Sequence, residues 1–283
     1  MNFREIIKYK NVTAQFINVD AETAKYYLEK NISNRRLDKN RVDKYVEDMK
    51  KGYWCFNGDA IRFDIDGNLI DGQHRLTAIV KTNIEQVFIV IKNVEKESKR
   101  TIDTGKARTG SDVLSMFSNV GSRDCGVIAG AITKLVLYEA GLGLRSGSTK
   151  HVTNSVTEEY YKKHYLEISK SIEYLNGIFD HHAMVLSRSE ALFLHIIFSR
   201  VSNIEADIFL KKIITGIGIE ENSNEKLLRN ILTKRAMKTI KIPASDCLFT
   251  AIKAWNRSRK GGVYSSEGNL RYGQRDNGYP FAI

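Results

Sequence analysis

The spacing of hydrophobic and polar positions along the chain changes character close to residue 100. Before that point, short runs of apolar or alternating residues predict strands at Phe16–Val19 and Ile61–Ile65 and a buried strand at Gln86–Val94. Apolar residues that recur every three or four positions predict helices from Asp20 to Lys30, from Asp38 to Gly52 and from His74 to Lys81. The turn signature Asp66-Gly67-Asn68 leads into a short strand, Leu69-Ile70, and predicts a hairpin. The first hundred residues therefore predict an α/β domain.

Beyond Thr101 the strand patterns stop and helical spacing takes over. Helices are predicted at Asp112–Phe117, Cys125–Glu139, Thr157–Leu175, Arg188–Val201, Glu205–Ile214, Glu225–Met237 and Ala244–Arg259. The predicted fold class is α+β, with an α/β domain at 1–110, an all-α helical domain at 111–260 and an irregular tail at 261–283. The tail either wraps the surface or becomes ordered on a partner.

Composition places the chain in the ordinary globular class. It has 283 residues, of which 42% are hydrophobic and 27% charged, values typical of folded soluble domains. No apolar run approaches the roughly 20 residues that span a bilayer, and the first ten residues lack the apolar core of a secretory signal. We therefore expect a cytoplasmic protein without a membrane partner. The three cysteines are far apart and are predicted to be buried thiols.

The net charge of +11 is concentrated late in the chain. Between Lys226 and Lys260 the sequence has ten basic residues and one acid, which gives this stretch a charge of +9. Such a concentration indicates a surface that binds DNA or another polyanion, although a solvated basic face has the same composition. The candidate DNA contacts are Lys234, Arg235, Lys238, Lys241, Arg257, Arg259 and Lys260. Trp255 lies among them and is either a stacking platform for bases or a core anchor.

The segment Asp71-Gly72-Gln73-His74-Arg75 combines residue types that bind phosphate. A strand that passes through a glycine directly into a helix exposes the first amide groups of that helix, and these attract anions. Gly72 permits close approach, Arg75 can donate two hydrogen bonds to a phosphate, and His74 can donate or exchange a proton. Asp71 would cap the helix, orient a neighbour, hold a metal ion or act as a base. A capping turn with an incidental His and Arg is the structural alternative.

Several motifs around this segment resemble the ParB/sulfiredoxin superfamily. They are N-R-R (34–36), M-K-K-G-Y-W (49–54) and N-G-D-A-I-R-F-D-I-D-G-N-L-I-D-G-Q-H-R-L-T-A-I (57–79). The order of these parts is most similar to ParB-like proteins of bacteriophages and to DGQHR-domain proteins linked to DNA modification. The resemblance covers about Phe16–Leu114, and I-D-T-G-K-A-R-T (102–109) and K-A-W-N-R (253–257) extend it.

The resemblance implies a nucleotide- or phosphate-binding pocket under the D-G-Q-H-R turn. Gly72, Gln73 and Arg75 would form its centre, and Arg35 and Arg36 would contact phosphate at its mouth, unless they belong to a solvated loop. Asn57 is a further candidate for the lining. Asp103, Thr104 and Arg108 form a second polar cluster, which a turn that starts a helix explains as well.

The resemblance also argues against two activities that are known in the superfamily. Sulfiredoxins have a catalytic cysteine immediately before the His-Arg pair, and Gln73 stands there in this chain, so sulfinic acid reduction is not expected. Chromosome-partition members that bind CTP and DNA have Gly-Glu-Arg-Arg at this turn. The chain keeps the glycine and the last arginine but lacks the glutamate and one arginine, which removes the basis for expecting CTP hydrolysis.

Three functional hypotheses follow. The first is a phage-type ParB-like DNA-binding protein, working as a homodimer in the host cytoplasm, with a nucleotide or phosphate at residues 71–75. The second is an enzyme, either a nucleotide-dependent phosphotransferase or a metal-dependent nuclease, with Asp71 and His74 as catalytic residues. It would use a nucleoside triphosphate and Mg²⁺, with Asp71 as a metal ligand. The third is a regulator that binds a host protein through the helical domain.

Overall fold

The computed structural model divides the chain into two units, residues 1–107 and 108–283. It describes residues 9–32, 34, 36–102, 108–118, 120–144, 152–179, 185–273, 276 and 278–283. The regular elements comprise a mixed four-stranded sheet and twelve α-helices, which confirms the α+β class.

Unit 1 is built on the four-stranded sheet. Its strands are β1 (Thr13–Val19), β2 (Ala60–Asp64), β3 (Leu69–Asp71) and β4 (Gln86–Val94), in the order β1-β4-β2-β3. β2 and β4 are parallel, whereas the pairs β1/β4 and β2/β3 are antiparallel. The predicted hairpin is confirmed, and its register places Arg62 of β2 opposite Asp71 of β3. The hairpin thus brings an arginine and an aspartate side by side at the end of β3.

The described part of unit 1 also contains three α-helices. They are α1 (Ala21–Glu29), α2 (Lys39–Lys50) and α3 (Gln73–Thr82). The side chains of Asp20 and Asp38, where the sequence predicts these two helices to begin, cap α1 and α2 by accepting backbone hydrogen bonds. The helices pack with one face of the sheet, where Ile61, Phe63 and Phe88 are buried.

The prediction that β4 is a buried strand holds for only one of its faces. Phe88 and Val90 are buried in the core, but Val87 on the opposite face is 45% exposed. A continuous apolar run such as V-F-I-V-I is typical of strands covered on both sides, and period-2 geometry alone decides which side chains face the core. β4 therefore has one core face and one open face.

The described regular elements of unit 2 are all helices. They are α4 (Gly110–Phe117), α5 (Ser122–Glu139), α6 (Asn154–Lys163), α7 (Tyr165–Phe179), α8 (Arg188–Ser199), α9 (Asn203–Thr215), α10 (Asn224–Ala236), α11 (Ala244–Arg259) and α12 (Glu267–Leu270). α8 lies at the centre, because its residues 190–198 are all buried. Within the described residues no helix has the length and apolar content required to cross a bilayer.

The single helix predicted over 157–175 is in fact two helices. The chain leaves helical geometry at His164, where φ is −112° and ψ is 22°. At this break the His164 ring stacks on Tyr160, with centroids 4.3 Å apart, and its Nδ1 lies 3.3 Å from Glu167. The Tyr160 hydroxyl also donates to Glu139 at 2.6 Å. Local periodicity does not reveal this break.

The C-terminal tail packs on the helices of its own unit. Leu270 in α12 is fully buried, and the Phe281 ring lies 5.0 Å from the ring of Tyr138. The backbone N–H of Ala282 donates to the Tyr138 hydroxyl at 2.8 Å. Of the cysteines, Cys125 and Cys247 are buried as predicted, but Cys55 is exposed.

A buried histidine in α8 makes the stability of unit 2 depend on pH. His195 is buried, its Nε2 lies 2.8 Å from Asp207 Oδ1, and burial lowers its pKa despite the opposing effect of Asp207. The unfolded chain therefore takes up the proton more readily, so the stabilisation present above the ordinary pKa of about 6.5 is lost as the pH falls below it. We expect the melting temperature to fall less between pH 7.5 and 5.5 in His195→Gln than in the wild type. Equal slopes would contradict this assignment.

Candidate functional site

The D-G-Q-H-R segment joins the end of β3 to the first turn of α3. Gly72 is the residue before the helix, with φ of +111° and ψ of −3°, a conformation that L-residues rarely adopt. A Cβ added there would lie 2.5 Å from Ile61 Cδ1. Both the backbone and the packing therefore require glycine, and no side chain caps α3 by a hydrogen bond.

A cleft of about 480 Å³ opens beside this turn. All five residues of the segment line it, together with Asn34, Arg41, Tyr45, Asp59, Arg62 and Lys99. Among the described lining residues, four basic side chains stand against two acidic ones, an excess of two positive charges. Its volume lies within the range of small-molecule and cofactor sites. The surroundings favour an anionic ligand.

Four charged side chains of the cleft form what we call the ion-pair chain, Arg62–Asp71–Arg75–Asp59. Asp71 Oδ2 accepts hydrogen bonds from Arg62 Nη1 and, at 3.0 Å, from Arg75 Nη2. Arg75 Nη1 lies 3.0 Å from Asp59 Oδ2, and its Nη2 also donates to the carbonyl of Ala60 at 2.9 Å. The buried Arg75 guanidinium is thus held from three sides, and its contact with phosphate stays a prediction.

His74 connects the start of α3 to the start of α2. Its ring is buried, and its Nε2 accepts a hydrogen bond from the backbone N–H of Asp38 at 3.0 Å. An accepting nitrogen has no proton, so in this arrangement the ring is neutral with its hydrogen on Nδ1. The lone pair that a general base would use is already engaged. The geometry assigns His74 a positioning role, and its catalytic role stays a prediction.

Gln73 belongs to a chain of side-chain amides behind the cleft. Asn31 Nδ2 donates to Gln73 Oε1 at 3.1 Å, and Asn34 Nδ2 donates at 2.7 Å both to Asn31 Oδ1 and to the carbonyl of Leu69. Because a carbonyl can only accept, the contact with Leu69 fixes the orientation of the Asn34 amide. Asn34 Oδ1 then remains as an acceptor for a ligand in the cleft that Asn34 lines.

The other predicted pocket residues are not among the described residues that line the cleft. Asn57 does not line the cleft but supports it indirectly, because Asn57 Nδ2 donates to Asp59 Oδ2 at 3.3 Å and Asn57 Oδ1 accepts from the Asp59 N–H at 2.9 Å. Arg36 is exposed and outside the cleft lining. Arg108 begins unit 2, where its carbonyl accepts from Asn154 Nδ2 at 3.0 Å. Arg35, Asp103 and Thr104 fall outside the described residues.

The described residues offer no ready-made metal centre. No group of three or more His, Cys, Asp or Glu side chains in this part of the chain is placed to hold a metal ion. Asp71, the predicted metal ligand, uses Oδ2 to accept from two guanidinium groups. Metal binding by Asp71 stays a prediction, as do the nucleoside triphosphate and Mg²⁺.

Ion pairs offset part of the positive charge of the predicted DNA-binding stretch. Five of its ten basic side chains form ion pairs with acids outside the stretch, which lowers its +9 to +4. These pairs are Lys226–Glu221, Lys234–Glu267, Arg235–Glu190, Lys253–Asp276 and Arg259–Glu205. The remaining predicted contacts, Lys238, Lys241, Arg257 and Lys260, are exposed and have no ion pair with any described residue.

Two predicted nucleic-acid contacts have structural roles. Arg235 Nη2 lies 3.1 Å from the buried Glu190, which also accepts from the Ser187 N–H at 2.8 Å and so caps α8. Although burial opposes ionisation of Glu190, the Ser187 hydrogen bond and Arg235 hold the pKa of its carboxyl below the ordinary value. Trp255 is buried and stacks on Phe198, with centroids 4.4 Å apart. Trp255 is therefore a core anchor, and DNA binding by this stretch stays a prediction.

In comparisons with known proteins, no family model, curated protein or solved structure matches the chain.

Proposed function

We propose that unit 1 binds a phosphate-bearing ligand of nucleotide size in the cleft at the start of α3. The main support for the proposal is that four basic side chains and the N-terminus of α3, which no side chain caps by a hydrogen bond, line one cleft of about 480 Å³. Charge and helix orientation act in the same direction, because both favour an anion at that point.

Arg62 is the main phosphate contact in this proposal. Its side chain is 31% exposed, and its guanidinium bonds to Asp71 alone among the described residues. A guanidinium has five N–H donors, so Arg62 keeps several for a ligand. Arg75 has three partners and a side chain that is only 9% exposed, so it is better suited to hold the site together.

The remainder of the cleft suits the sugar and base of a nucleotide. Tyr45 offers an aromatic ring, and Asn34 Oδ1 offers an acceptor for a hydroxyl or amino group. The resemblance of the D-G-Q-H-R segment to ParB-like proteins supports the same class of ligand. Binding is favoured over turnover, because His74 Nε2 and Asp71 Oδ2 already have partners within the protein.

Replacing Arg62 with glutamine is expected to weaken nucleotide binding at least tenfold, because a hydrogen bond to a charged group contributes about 1.5–3 kcal/mol. The measurement is equilibrium dialysis with each of the four labelled ribonucleoside triphosphates, with and without Mg²⁺. Lys81→Gln is the matched control: it removes one positive charge from the far end of α3, where Lys81 pairs with Asp43. Its affinity should equal that of the wild type.

Melting temperatures complete this experiment. A ligand that binds the folded state raises the melting temperature, so the triphosphates and inorganic pyrophosphate should each stabilise the wild type. The melting temperature of Arg62→Gln without ligand shows whether the variant is folded. The proposal fails if neither pyrophosphate nor any triphosphate binds the wild type at millimolar concentration.

A further inference from the structure

Asp71 occupies the place in the ion-pair chain where a ligand phosphate would bind. Its Oδ2 accepts from Arg62 and Arg75 together, and all three side chains line the cleft. A phosphate oxygen would use the same guanidinium donors. The Asp71 carboxylate and a phosphate cannot accept from the same N–H groups, and the two anions repel each other even when the phosphate uses the other donors of Arg62.

We propose that Asp71 is an internal competitor, which neutralises Arg62 in the empty site and is displaced from it when a phosphate binds. This inference rests on the proposed function. The cross-strand register supports it, because Arg62 and Asp71 are paired residues of the β2/β3 hairpin and meet without any ligand. Arg75 does not need Asp71 to stay in place, since it keeps its contacts with Asp59 and the Ala60 carbonyl.

The competition selects the chemical class of the ligand. A singly charged group, such as a carboxylate or a phosphodiester, would replace one negative charge on Arg62 with another and would gain nothing in charge. It would also meet repulsion from the displaced Asp71 and from Asp59. A terminal phosphate carries nearly two negative charges at neutral pH. Its attraction to Arg62 therefore exceeds the attraction that is lost when Asp71 is displaced. The site therefore selects nucleotides or other phosphate monoesters over the phosphodiesters of a DNA backbone.

The sign of one substitution separates competition from the other roles of an aspartate. A metal ligand or a general base must keep its carboxylate, so Asp71→Asn would then weaken binding or stop turnover. A competitor behaves in the opposite way. Asparagine keeps an oxygen that accepts from a guanidinium but loses the negative charge, so Arg62 becomes available to the ligand.

The test measures the affinity of wild type and Asp71→Asn for pyrophosphate and for the best-binding nucleoside triphosphate by calorimetry, once in EDTA and once with Mg²⁺. We expect Asp71→Asn to bind pyrophosphate and the triphosphate about tenfold more tightly than the wild type does. This change corresponds to the loss of one partly screened repulsion between the carboxylate and the ligand phosphate. Asp66→Asn is the control, because it removes the same charge from the exposed hairpin turn, where Asp66 pairs with Lys96. Its affinities should not change.

A second probe tests the selectivity. A short oligonucleotide without terminal phosphates should bind the wild-type cleft weakly. In Asp71→Asn, the difference between its affinity and that of the triphosphate should be smaller than in the wild type. A folded Asp71→Asn that binds as the wild type does, or more weakly, overturns the inference. So does a loss of affinity that occurs only with Mg²⁺, which would identify a metal ligand. If neither protein binds any probe, the proposed function itself is wrong.

Discussion

The substitution Gly72→Ala is expected to lower the free energy of unfolding of unit 1 by about 3 kcal/mol and to abolish ligand binding. Two effects add. The φ of +111° is strained for any residue with a Cβ, and that Cβ would collide with Ile61, whose side chain is buried in the core. Relief of the collision moves β2 or the start of α3, and both carry residues of the cleft. Urea unfolding followed by hydrogen exchange of peptides from α3 measures the loss.

Gly67→Ala is the matched control for this experiment. Gly67 also has a positive φ, +80°, but a Cβ there would meet no atom within 4 Å. Only the strain of the backbone remains, so we expect a loss of about 1 kcal/mol with ligand affinity retained. Equal losses for the two glycines would show that packing against Ile61 does not matter.

In unit 2, Trp255→Ala is expected to lower the free energy of unfolding by about 4 kcal/mol. Trp255 is 1% exposed, stacks on Phe198 and meets the edge of Phe209. Its removal leaves a cavity at the contact of α8, α9 and α11. Denaturant unfolding monitored by circular dichroism, which reports mainly on the helices, measures the change.

Trp255→Phe separates the volume of this side chain from its polar atom. The indole Nε1 is buried and has no hydrogen-bond partner among the described residues. Phenylalanine keeps most of the stacking and removes that unsatisfied donor, so we expect a loss of only about 1 kcal/mol. If Trp255→Ala kept full stability and lost affinity for nucleic acid instead, the assignment of Trp255 to the core would be wrong.

The elements with a local signal could be predicted from the sequence. Asp20 and Asp38 begin helices because a carboxylate before an apolar helical pattern caps it, and both caps are present. The bounds of Gln86–Val94 are those of β4, because its apolar run lies between polar turns. The break at His164 has no such signal, because the helical periodicity of the sequence continues across it.

For the site, the turn could be predicted but not the partners of its side chains. Arg75 was expected to face a phosphate, yet Asp59, Asp71 and the Ala60 carbonyl surround it. One missed residue did have a signal. In a hairpin closed at Asp66-Gly67-Asn68, period-2 alternation points Arg62 away from Ile61 and Phe63. Its pairing with Asp71 has no such signal, because it depends on a register shift between Arg62 and Phe63. Arg41 and Lys99 reach the cleft from elements whose packing the sequence does not reveal.

The five ion pairs that leave the basic stretch have a consequence for how this surface could change. Each of them joins a lysine or arginine to an acid that lies outside 226–260. Substitution of any one of these acids would uncover a positive charge without altering a basic residue. The positive charge that this unit exposes can therefore evolve, or be engineered, through its glutamates and aspartates while every lysine and arginine stays the same.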